Sequence, residues 1–209
     1  PVDPDSTDFS GLRWRPFQLA FQLLSLKGLW APNDSERDIV DLIWFPTGGG
    51  KTEAYLAVAA FEMLRRRLCE GEAGLGTTVL MRYTLRLLTQ QQFQRAGHLI
   101  CALEMLRRKD VNRLGGEPFS LGLWVGNNVT PGSAANAHAI YNKELCQQVG
   151  AVSNPFTLLR CPCCGTRIVP HQLEEQGALN CGIVSTQNDF RFFCPDAECA
   201  FHSHIPVQI

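Results

Sequence analysis

The chain has 209 residues, 45% of them hydrophobic and 19% charged, with a formal net charge of −1. That apolar content can bury a core and excludes general disorder, and the length fits one α/β-sized domain with a small insertion. The charge balance excludes a strongly basic nucleic-acid tail, and no apolar run approaches the ~20 residues that span a bilayer, so no membrane-spanning helix is expected.

The opening stretch PVDPDSTDFS carries neither a Met nor a signal-peptide pattern and reads as a cut or processed end. Residues 1–12 are polar and turn-like. The run WRPFQLAFQLLSLKGLW over 14–30 predicts a helix opened by Pro16. After the surface loop APNDSERD, the apolar run IVDLIWF over 39–45 predicts a strand buried on both faces. PTGGGKT follows it, and EAYLAVAAFEMLRRRL then predicts a strong helix. TTVLMRY over 77–83 is a second expected strand, residues 85–109 a long helix ended by the GGE at 115–117, and SLGLWV over 120–125 a third strand. A further helix is expected over AANAHAIYNKELCQQ. Strands alternating with helices imply a parallel sheet covered on both faces.

Gly48-Gly49-Gly50-Lys51-Thr52 sits between an apolar strand and a helix, the setting that a phosphate-binding loop requires. Glycines let backbone N–H groups approach phosphates, and the helix N-terminus adds partial positive charge. Lys51 would reach the β- and γ-phosphates of ATP, and the Thr52 hydroxyl would ligate Mg²⁺. The general motif calls for glycine at position 45, where this chain has Phe45. The competing explanation is a glycine-rich turn that binds nothing.

Of nine cysteines, six lie between Cys161 and Cys199. Clustering without a secretory signal favours metal over a disulfide framework. Cys161-Pro162-Cys163-Cys164-Gly165 holds a C-x-x-C knuckle, whose turn aims two thiolates at one point. Cys194 and Cys199 would supply the second pair, giving a closed structural Zn²⁺ site. Cys163, Cys181, His202 and His204 are alternative ligands. A C-x-x-C redox pair is the rival, but the thioredoxin-like βαβ setting it needs is missing. Cys69, Cys101 and Cys146 read as small apolar fillers.

FPTGGGKTEAYL resembles motif I of superfamily 2 helicases and translocases, matching at Pro46, Thr47, Gly48, Gly50, Lys51 and Thr52. WRPFQ resembles the pattern that these ATPases place upstream of motif I. The resemblance implies that Gln18 reads the adenine edge with support from Arg15 and Phe17; a plain exposed helix residue is the alternative for Gln18. YTLRLLTQ over 83–90 overlays motif Ia at Thr84, Leu87 and Gln90, with Arg86 one place from the family arginine. That motif contacts the nucleic-acid backbone, and Thr84 at a helix start suits a phosphate. Arg86 is equally explained as a solvated helix arginine. Motif Ib fits either Thr130-Pro131-Gly132 or Ser153-Asn154-Pro155, and a plain turn explains both. RPFQLAFQLLSL, WFPTGGGKTEAYL, LGLWVG and CPCCG together resemble the helicase-like component of the bacterial DISARM anti-phage system, over most of residues 12–209.

The resemblance implies a RecA-like P-loop parallel sheet with a zinc-ribbon insertion, within a large cytoplasmic, DNA-coupled ATPase that works with defence-system partner proteins and has no membrane partner. The expected organisation is a partial RecA-like ATP-binding domain over 1–159, a zinc-ribbon-like insertion over 160–203, and over 204–209 the start of the strand leading to a D-E-x-x box. No such box occurs in the chain. The second RecA-like domain, with its arginine finger, would be another part of the full-length protein, and this piece alone is expected to bind nucleotide poorly and to be inactive. DNA binding should be weak and independent of sequence. Two rivals are another P-loop NTPase and a non-catalytic zinc-ribbon module with a vestigial P-loop.

Overall fold

The computed structural model describes residues 11, 13–31, 33–44, 46, 49–82, 86–125, 130–148, 150–173 and 181–208, without the side chains of 36, 86–90 and 173. Pro16 starts α1 (Pro16–Trp30), where its fixed φ suits the first helical position and its missing N–H costs nothing. Gly50, with φ +88°, precedes α2 (Lys51–Glu70). Both helices were legible from their periodicity, and they pack on each other, with the Trp30 and Phe61 rings 6.4 Å apart.

These helices belong to one of two compact units, formed by Val2–Tyr83 with Leu106–Glu117. In that unit Arg65 donates to Glu62 and Glu70, and Arg66 donates to the carbonyl of Leu75. Arg67 reaches the carbonyl of Leu114, at the end of the short helix α4 (Val111–Leu114). Asp110 caps α4 by accepting from the Arg113 N–H, so the long preceding helix stops before the glycines at 115 and 116.

The expected strands over 39–45 and 77–83 are not formed among the described residues, 39–44 and 77–82. Val40 is 92% exposed, Trp44 85% and Leu80 85%. A strand that is apolar on both faces is stable only between neighbouring strands, and the described ladders include none beside these two segments. Of the third expected strand only β1 (Leu121–Gly122) forms, and Trp124 beyond it is fully exposed.

The other unit is Thr84–Met105 with Pro118–Ile209. It holds most of α3 (Arg86–Lys109), then α5 (Ala134–Ile140), which continues as a wider helical turn over Tyr141–Leu145. Three two-stranded ladders accompany them. β1 pairs in parallel with β6 (Val207–Gln208), joining the third expected strand to the expected C-terminal one. β2 (Gly150–Ala151) and β3 (Gln172–Leu173) are antiparallel, as are β4 (Ile183–Ser185) and β5 (Phe190–Phe192). The result is a mixed helix and strand fold with a small parallel pair.

The division does not follow the expected boundary at 159/160. Ile168, Ile183, Phe192 and Phe201 of the cysteine-rich segment share one buried core with Phe93, Leu145, Phe156, Leu158, Ile205 and Val207. The rings of Phe156, Phe190 and Phe192 interlock with centroids 4.7–6.3 Å apart. The segment is too poor in apolar residues for a core of its own and completes it with side chains from both flanks. No described helix is long and apolar enough to cross a membrane.

Candidate functional site

Two clusters carry chemistry. The first surrounds the start of α2. The positive φ of Gly50 is one that L side chains rarely adopt, and a Cβ there would lie 2.7 Å from Gln18 Nε2. Gln18 Nε2 donates to the Gly50 carbonyl at 2.7 Å, and Arg15 Nη1 donates to the Gly49 carbonyl at 3.0 Å. Gln18 Oε1 accepts from the Arg15 N–H at 2.8 Å, so one amide caps α1 and ties it to the glycine loop.

Gln18 is 5% exposed and so is not a plain exposed helix residue. Two of its hydrogen-bonding groups are used inside the protein, while an amide offers two N–H groups and two lone pairs in all. Lys51 Nζ lies 3.4 Å from the Pro46 carbonyl, folded over the loop, and the Tyr55 hydroxyl donates to Thr52 Oγ1 at 3.2 Å. Thr47, Gly48 and Phe45 lie outside the described residues.

The second cluster is built by two turns. In the first, Cys161 N donates to the Thr166 carbonyl and Gly165 N to the Cys161 carbonyl, with Gly165 at φ +81° completing the reversal. The second follows β5: Cys194 N donates to the Phe201 carbonyl, and the His202 ring nitrogen Nδ1 lies 2.8 Å from the Cys194 carbonyl. Together they bring the thiols of Cys161, Cys164, Cys194 and Cys199 within 4.8 Å of one another. Cys161 and Cys199 Sγ are 3.8 Å apart, and Cys164 and Cys194 Sγ are 3.4 Å apart. Disulfide sulfurs lie ~2.05 Å apart, so these are free thiols. Four sulfurs placed ~2.3 Å from one zinc ion would be ~3.8 Å from each other, close to the spacing found. Four such cysteines can hold a metal ion such as zinc.

Burial pushes the Cys161 thiol up to about 12 and raises Cys194 as well. Burial also pushes Cys164 upward, but its hydrogen bonds with Thr166 and Cys194 prevail and bring it down to about 7. The Cys164 and Thr166 side chains are 3.2 Å apart. Cys163, Cys181, His202 and His204 do not join the converging set. Cys163 contributes its backbone N–H to Cys161 Sγ at 3.4 Å, Cys181 is buried, and the His202 ring is turned to the Cys194 carbonyl.

No family model matches the chain. It is 40% identical over 208 residues to the DISARM protein DrmA of Bacillus paralicheniformis, an alignment that covers 95% of this chain. The chain is related to a DISARM protein. It spans 18% of the length of that DrmA.

The expected nucleic-acid residues are less well placed. Thr84 lies outside the described residues, and Arg86 and Gln90 are described only as positions on the first turns of α3. Thr130 is buried, at 6% exposed. No spacing in the sequence marks Tyr55 beside Thr52 or Thr166 beside Cys164, and His202, expected only as an alternative ligand, faces the Cys194 carbonyl instead. They act through single hydrogen bonds that no spacing rule encodes.

Proposed function

We propose that the chain is the ATP-binding part of a nucleic-acid-dependent ATPase of the superfamily 2 helicase and translocase type, acting in anti-phage defence within a longer DrmA-like protein. The observation that carries this reading is the hold that Arg15 and Gln18 have on the Gly49 and Gly50 carbonyls, immediately before Lys51 and Thr52 at the start of a twenty-residue helix. That arrangement links the upstream R-P-F-Q element to the glycine loop at the helix N-terminus, where phosphates would be received.

In this reading the backbone of Thr47 to Gly50 receives the phosphates, and Lys51 stabilises the charge on the transferred group. Thr52 ligates Mg²⁺. The remaining edge of the Gln18 amide reads adenine beside Arg15. Thr84, Arg86 and Gln90 meet the phosphates of DNA at the start of α3, without reading bases. The sheet is RecA-like in the full-length protein, where a second RecA-like domain and defence-system partner proteins complete the machine. Cys161, Cys164, Cys194 and Cys199 hold one structural Zn²⁺, with no open position for catalysis.

Steady-state ATP hydrolysis by a protein of the relative's length, with and without DNA, tests the reading. Lys51→Ala should lower turnover by about a hundredfold or more with the fold intact, because it removes an interaction made with the transition state. Turnover nearly unchanged by Lys51→Ala would exclude the phosphate-loop assignment.

A further inference from the structure

Helix α3 rests directly on the first cysteine knuckle. Gln94 Nε2 donates to the Arg160 carbonyl at 3.2 Å, and His98 Nδ1 bonds the Pro162 carbonyl. Between them, a Cβ on Gly97 would come within 3.0 Å of Pro162 Cγ and 3.2 Å of its Cβ, so any larger residue would press on the Pro162 ring. Phe93 and Cys101 on the same helix enter the core that includes Cys161 and Cys194. Residues 93, 94, 97, 98 and 101 follow helical spacing and make one face. That face reads the knuckle through two backbone carbonyls, whose positions are set by the turn between Cys161 and Cys164.

We infer that the zinc knuckle is a clamp for α3: metal at the four cysteines fixes the Arg160 and Pro162 carbonyls, and these fix the helix through Gln94, Gly97 and His98. This rests on the zinc reading above. His98 and Gln94 are positioning residues and touch no ligand. The helix so held begins with the positions Arg86 and Gln90, which links the metal to the candidate DNA contacts without the metal approaching DNA. Linkage makes the effect reciprocal: whatever loosens the helix from the knuckle weakens zinc by the same factor.

The test is amide hydrogen exchange over residues 93–103 of the full chain, zinc-loaded and after chelation, in wild type and in His98→Ala, with zinc content and affinity measured on the same samples. In wild type, zinc removal should speed exchange there by about tenfold or more. His98→Ala at full zinc occupancy should show much of that increase, and zinc removal should then add less than it does in wild type. Its zinc affinity should fall by the same factor by which the zinc-dependent protection falls, since the two are linked. Gly97→Ala carries the same comparison if His98→Ala does not fold, and His98→Gln, which keeps an N–H donor, should restore part of the protection. A wild-type chain that binds zinc but exchanges over 93–103 at the same rate without it would overturn the inference. So would an effect of His98→Ala equal in size with and without zinc, which marks ordinary packing. A chain that binds no zinc would fail the metal reading itself and the clamp with it.

Discussion

Replacing Gly50 with alanine should damage the glycine loop by an amount that its geometry sets. The residue holds φ +88°, which costs an L side chain roughly 1–2 kcal/mol. The new Cβ would also lie 2.7 Å from Gln18 Nε2, inside any real contact distance. The amide would have to leave the Gly50 carbonyl, losing a hydrogen bond worth ~0.5–1.5 kcal/mol net. The expected cost is therefore ~1.5–3.5 kcal/mol, or a fall in melting temperature of ~3–14 °C for a chain of this size. Thermal unfolding followed by circular dichroism measures it. In a Gln18→Ala background the collision is gone, so alanine at position 50 should cost only the backbone part, ~1–2 kcal/mol, and the two changes should couple by ~0.5–1.5 kcal/mol. A Gly50→Ala chain that melts with wild type, or two changes that simply add, would refute the contact between the Gln18 amide and the loop.

Cys161→Ser and Cys199→Ser should each reduce zinc from one ion per chain to near none by elemental analysis, while Cys163→Ser and Cys181→Ser keep it; metal lost on Cys181→Ser would show that the four ligands are wrongly chosen. Because the cysteine segment shares its core with Phe156, Leu158, Ile205 and Val207, chelation should lower the melting of that whole unit and not of a separate module; a transition confined to residues 160–203 would contradict this. Zinc uptake at neutral pH should release protons, since Cys161, held near 12, and Cys194, held above its ordinary value, both arrive as thiols and must ionise to bind. Affinity should accordingly rise with pH and fall as pH drops, and calorimetry in buffers of different ionisation enthalpy should find more than about one proton released per zinc; none released would contradict the burial of those thiols. DNA binding should weaken steeply with added salt and show no preference among unrelated oligonucleotides.

The helices were the legible part of the fold. Pro16 marks the start of α1, the run after Lys51 has the composition of a strong helix, and the apolar positions from Phe93 onward repeat at helical intervals. The four converging cysteines were legible for a similar reason: C-x-x-C with a following glycine is a local geometry, and Cys194 and Cys199 were the remaining close pair. Arg15 and Gln18 could be linked to the loop only through a family pattern, because their meeting with Gly49 and Gly50 spans more than thirty residues of chain.

The strands read least well. IVDLIWF and TTVLMRY have strand composition, but a ladder needs a partner, and composition says nothing about which segment lies alongside. The cysteine segment looked like an independent insertion because its composition changes near residue 159; shared burial across that point has no local signature. Gly97 carries no sequence signal of its own; the close approach of the Pro162 ring shows up only in the folded chain.

The most direct test of the central claim is an NMR titration of the chain with Mg-ATP. Binding is expected to be weak, so the readout is where signals move and not only how tightly. The account predicts shifts centred on the amides of Gly49, Gly50, Lys51 and Thr52 and on the Gln18 side chain, abolished by Lys51→Ala with the rest of the spectrum unchanged. Shifts that are absent at millimolar nucleotide, or that persist unaltered in Lys51→Ala, would contradict it.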